Sequence, residues 1–185
     1  MGKGSVHFSL EWNIHYARWM IDDGTPDRRL GETFDWPAIE FWSEISLAST
    51  PERKKSAEPV GDYEYRVVAE VLYVGESTCI IDFGLKTISN SDSLRSGCRE
   101  GEHVTGQISL SFADYTFVAP DSVFRHLRYG WYVNRISADL TPFVPIPNSE
   151  GGWMRDRSTV RYSNVAGTDE VQTHSYVLHC TEITS

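Results

Sequence analysis

Residues 63–83, YEYRVVAEVLYVGESTCIIDF, decide the fold class. Tyr63, Tyr65, Val67, Ala69, Val71 and Tyr73 alternate with Glu64, Arg66, Val68 and Glu70. A period of two belongs to a strand with one face in a core and the other toward water. Gly75-Glu76-Ser77 supplies turn chemistry, and Thr78–Phe83 is a second, short and largely apolar strand ended by Gly84.

The same period extends in both directions. Val6, Phe8, Leu10, Trp12 and Ile14 share one face, with His7, Ser9, Glu11, Asn13 and His15 on the other, until Asp22-Asp23-Gly24 turns the chain. Ile39–Leu47 (IEFWSEISL) reads as a strand, although Asp35 followed by Pro37 reads equally as a helix start. Thr50–Asp62 (TPERKKSAEPVGD) has no period and reads as a solvated connection. Past Gly84 a Ser-rich polar loop carrying Cys98 leads to a strand at Val104–Phe112, where the interior Gly106 marks a bulge or a bend. Pro120-Asp121-Ser122 opens a helix capped by Asp121, with Val123, Phe124 and Leu127 as its apolar stripe and Gly130 at its end. Trp131–Leu140, Val160–Val165 and Val171–Ile183 are strands, separated by a Pro- and Gly-rich loop at Thr141–Arg157.

From Tyr63 onward the order is three strands, a short helix, a strand, a long loop and a strand. This order resembles the OB-fold, a five-stranded, partly open Greek-key barrel. The resemblance rests on element order alone and implies a mainly-β single domain: an antiparallel OB-like barrel core (β-β-β-α-β-β) over residues 61–185, one short helix, and an N-terminal β extension over residues 1–60. In that fold the loop before the last strand is a usual binding loop.

Charge and composition narrow the function classes. The chain has 185 residues and a formal charge of −9, and its 12% aromatic content argues against disorder. Residues 61–120 carry 4 basic against 9 acidic residues, so the strands that would form a nucleic-acid face repel phosphate. The apolar runs are too short to span a bilayer as a helix, and Met1–Val6 leads into alternating residues without a signal-peptide apolar stretch. Three cysteines, Cys79, Cys98 and Cys180, without CxxC spacing fit a reduced, cytoplasmic protein.

The chain lacks a nucleophile elbow and a phosphate-binding glycine loop. His174 and Cys180 share a strand face that His179 does not, so the three do not converge on a metal, and no metal or cofactor is expected. Asp82, between apolar neighbours, is a candidate acid or base with a raised pKa, or else an outward-facing acid on a strand or one accepting hydrogen bonds from the turn at Gly84. His15 and His126 are its candidate partners. Phe143, Trp153, Met154, Arg155 and Arg157 in the long loop are residue types that anchor protein interfaces. The expected function is therefore a non-enzymatic, acidic interaction module, of inhibitor, immunity or complex-subunit type, for a basic protein partner. The alternative is a small-molecule enzyme or carrier whose aromatic-lined barrel pocket uses Asp82 and a histidine for proton transfer.

Overall fold

A computed structural model describes residues 10–36, 38–113, 127–147 and 151–183. Its strands in chain order are β1 (Glu11–Ala17), β2 (Thr33–Trp36), β3 (Ile39–Trp42), β4 (Ala48–Ser49), β5 (Ser56–Pro59), β6 (Glu64–Val74) and β7 (Thr78–Asp82). They continue as β8 (Lys86–Asn90), β9 (His103–Phe112), β10 (Tyr129–Asp139), β11 (Phe143–Pro145), β12 (Trp153–Arg155), β13 (Tyr162–Val165) and β14 (Ser175–Ile183). A short helix, α1 (Arg18–Asp22), follows β1.

The hairpin read from residues 63–83 is β6–β7, and β8 extends it antiparallel. β8 then runs parallel to β3 through Glu40 and Ile88. Both β3 and β6 pair antiparallel with β9, so β6, β7, β8, β3 and β9 close a five-stranded mixed ring. The protein is a mainly-β single domain whose barrel is OB-like at the level of the fold. The ring takes β3 from before residue 60, while β1, β14, β10 and β13 continue the sheet outside it, joined where His15 of β1 meets Ser111 of β9.

One apolar cluster fills the ring and reaches across the outer strands. Tyr65, Val67, Ala69, Val71, Ile81, Val104, Ile108 and Leu110 pack in it together with Trp12, Ile14, Tyr16, Ile136, Leu178 and Cys180. Trp12 makes the join: its ring lies 5.5 Å from that of Tyr65 and 5.7 Å from that of Phe83. A register shift between Val71 and Tyr73 turns Leu72 and Tyr73 onto a smaller cluster of Ala38, Ile80, Ile88, Ala113 and Leu127. Arg28 is buried against three rings, closest to Phe34 at 4.1 Å, and pairs with Glu32 at 3.3 Å.

Several local expectations are corrected. The Ser-rich stretch after Gly84 contains β8, where Thr87, Ile88 and Ser89 are buried and the Ser89 and Ser93 hydroxyls pair at 2.8 Å. The stretch Thr50–Asp62 is not wholly a solvated connection, because Ser56–Pro59 adds β5 to the free edge of β6. That edge is short and ends in Pro59, which limits further pairing. The turn at Gly24, with φ of 102°, is preceded by α1. The helix expected from Pro120 falls mostly outside the described residues, and Gly130 is paired within β10. Among the described residues no helix is long and apolar enough to cross a membrane.

Gly106 is needed for close approach. A Cβ there would stand 2.5 Å from Cδ2 of Leu47, which is fully buried. Gly106→Ala should therefore destabilise the fold by about 1–3 kcal/mol, the usual cost of overpacking a core. Combining it with Leu47→Ala should cost less than the sum of the two single changes, as measured by urea denaturation.

Candidate functional site

A β-bulge sets the polar face of the outer sheet. β10 and β14 lose register between Val133 and Arg135, so Trp131 and Val133 are buried before the bulge and Ile136 and Ala138 after it. The change of phase places Arg135, Ser137 and Asp139 on the face away from the core. Strand pairing then lines up Asn13 of β1, His179 of β14 and Arg135 of β10, with Ser137 beside Asn164 of β13.

These side chains floor a recess of about 300 Å³, which Gly61, Asp62, Tyr162 and Val177 also line. His179 is buried at its centre. Its Nε2 lies 3.0 Å from Ser137 Oγ, and its Nδ1 lies 2.6 Å from Asn13 Oδ1 and 3.0 Å from Arg135 Nη2. Burial, reinforced by the Arg135 charge, lowers its pKa to about 4 against an opposing pull from Asp62, so the ring is neutral at pH 7.

One ring proton has two settings. On Nδ1 it is donated to Asn13 and Nε2 accepts the Ser137 hydroxyl; on Nε2 it is donated to Ser137 and Nδ1 accepts from Arg135. The Ser–His contact has the distance of an activated nucleophile, yet an imidazole titrating near 4 is a poor base at pH 7.

Above this floor runs a second polar chain. Tyr162 donates to Asp62 Oδ2 at 2.7 Å, Arg155 Nη2 donates to the Tyr162 hydroxyl at 2.5 Å, and Arg155 Nε meets Asp139 Oδ2 at 2.8 Å. His15 lies close to this chain, its ring 5.0 Å from Tyr63 and 6.0 Å from Trp42, with Nδ1 buried and, among the described residues, without a hydrogen-bond partner. Burial lowers its pKa to about 4, with Asp139 opposing and Arg155 assisting.

The residues singled out from the sequence are dispersed. Asp82 accepts from Lys55 at 2.8 Å and from the Gly84 N–H at 2.9 Å. Burial works to raise its pKa, but these two donors outweigh it and hold the carboxyl below its usual range, so the turn reading of Asp82 is the one observed. His15 lies in a different neighbourhood, and His126 is outside the described residues. Cys180 is buried in the core, while the His174 ring packs 4.7 Å from Phe143.

The long loop forms a hairpin, β11–β12, outside the main sheet. Phe143, Trp153 and Met154 are exposed on it, whereas Arg155 turns inward to the polar chain. Arg157 is exposed and lies 3.7 Å from Glu44. The sequence reading missed Asn13, Arg135, Ser137 and Asn164 as a group. Its one available signal was the polar period of two in Asn13/His15 and in Arg135/Ser137/Asp139.

The two neutral histidines give the fold a pH dependence of definite sign. Their folded pKa values, about 4, lie below the ordinary 6.5, so between those limits the unfolded chain binds protons that the folded chain refuses. Stability is fully present above pH 6.5 and falls as pH drops toward 4, with each ring contributing up to about 1.4 kcal/mol per pH unit. His15→Gln and His179→Gln should each flatten this slope relative to wild type in urea denaturation between about pH 7.5 and 4.5. No family model, curated protein or solved structure matches the chain.

Proposed function

We propose that the protein is a non-enzymatic interaction module that binds a basic protein partner through the β11–β12 hairpin. The observation that carries this reading is the hairpin itself, whose Trp153 is 62% exposed beside Met154 at 44% and Phe143 at 42%. Clustered large apolar side chains on a projecting element are typical of interface anchors. Arg157 extends the surface to a groove of about 350 Å³ walled by Trp42, Ile45, Gln107 and Ser109. Two of those walls, Trp42 and Ile45, are themselves exposed apolar residues.

The net charge of −9 favours a basic partner, steering its approach and setting specificity more than final affinity. An inhibitor, an immunity-type protein or a complex subunit, acting in the cytoplasm, fits this character. The barrel-pocket alternative draws less support, because side chains fill the ring interior and Asp82 is engaged by Lys55.

The test is capture from a nuclease-treated native lysate at low and high salt, with wild type beside Trp153→Ala/Met154→Ala. A stoichiometric basic protein should be retained by wild type, weakened by salt, and lost by about tenfold or more in the double variant. The variant should melt within a few degrees of wild type, since both side chains are exposed. Equal retention by the variant, or capture indifferent to salt, overturns the reading.

A further inference from the structure

We propose that the recess over His179 binds a small ligand bearing a carboxylate or phosphate group, with the Arg135 guanidinium as its anchor. Arg135 is exposed, and among the described residues it hydrogen-bonds a neutral imidazole and has no acidic side chain within ion-pair distance. A guanidinium carries five donors in a planar fork that fits an oxyanion bidentately. Most of that fork is therefore unused by the protein.

The surrounding groups supply what a small oxyanion needs beyond one charge. Asn13, Asn164, Ser137 and Tyr162 bring amides and hydroxyls to the same recess. Two acids face the recess: Asp62 on its lining, whose charge is offset by the Tyr162 hydroxyl at 2.7 Å and by Arg155 at 3.7 Å, and the half-exposed Glu11, 3.9 Å from His179 Nδ1. Size selects the class of ligand. A polyanion would meet the field of a chain at −9, whereas a single oxyanion in a recess of about 300 Å³ feels chiefly the nearby guanidinium, the rest being screened within about 8–10 Å.

The floor also has a way to respond. When an anion draws the Arg135 donors away from His179 Nδ1, the ring proton moves to Nδ1 and is donated to Asn13 Oδ1. Nε2 then accepts the Ser137 hydroxyl, so the polar floor remains hydrogen-bonded with the ligand in place. The change of tautomer is a readout that a non-specific surface charge would not give.

Inorganic phosphate and acetate, each titrated at constant ionic strength, are the probes, followed by the ¹⁵N shifts of the imidazole nitrogens of His179. A saturable shift with either anion is expected, with Nδ1 moving toward the protonated value. Arg135→Gln should weaken it about tenfold or more, and Arg135→Lys should restore it only in part, because the fork geometry is lost. Arg66→Gln, at an exposed Arg–Glu pair elsewhere, should leave it unchanged. Saturation with phosphate alone or acetate alone decides which oxyanion the recess prefers and supports the proposal either way. A shift that does not saturate, or one that Arg135→Gln leaves intact while the variant still folds, shows adventitious binding only and overturns it. The hairpin variant at Trp153 and Met154 should bind the anion normally, which separates this result from any failure of the protein-binding reading.

Discussion

The architecture depends on β9. It hydrogen-bonds to β6 along one edge and to β3 along the other, and its ends also meet β4 and β1. A strand with partners on both edges has few unpaired backbone groups, so the ring closes there without an aggregation-prone edge. It also joins the barrel to the outer sheet, because the single bridge from Ser111 to His15 is reinforced by the Ser111 hydroxyl donating to the His15 carbonyl at 3.3 Å. Gly106 lies in the middle of this strand, and the space left by its missing side chain lets Leu47 enter the core. This packing adds to the pairing of β3 and β4 with β9 in joining the segment before residue 60 to the barrel.

What the sequence made legible is what period two can carry. The long strands β6 and β9 show that alternation most directly, whereas β14 is buried on both faces from Tyr176 to Cys180 and β10 changes its buried row at the bulge. β8 escaped because Lys86-Thr87-Ile88-Ser89-Asn90 has one large apolar residue, and the buried Ser89 hydroxyl is satisfied by Ser93, a partner outside the strand. β5 escaped because an edge strand shows no buried row to detect. α1 spans five residues, has no side-chain N-cap and buries only Met20, so it carries none of the usual start signals.

The recess was less legible than the fold for a different reason. Its residues come from positions 13, 135, 137, 164 and 179, and only the register of β1–β14–β10–β13 brings them together. Register is a long-range property, and here it turns on the bulge after Val133, which exchanges the buried and exposed faces of β10 midway along. Without that bulge, strict alternation from Trp131 would send Arg135, Ser137 and Asp139 into the core. His174 lies just before β14, so it has no strand face to compare with His179, and nothing local to residue 179 indicates that its neighbours are an arginine and two polar side chains from distant strands.

The recess and the hairpin are mechanically connected through Arg155. Its backbone belongs to β12, where it pairs with Phe143, while its side chain holds Asp139 at the end of β10 and the Tyr162 hydroxyl on β13. The Tyr162 hydroxyl in turn holds Asp62 on the wall of the recess. Because Arg155 is only partly exposed, these charge-assisted contacts are less screened than surface pairs and fix the base of an otherwise isolated hairpin. Two strands alone are marginal in water, so the exposed Trp153 keeps a defined orientation chiefly because the residue two positions on is anchored in the polar chain. An interface anchor gains from such rigidity, since less side-chain and loop entropy is lost on binding. The polar chain of Asp62, Tyr162, Arg155 and Asp139 thereby holds the hairpin that carries Trp153 and Met154.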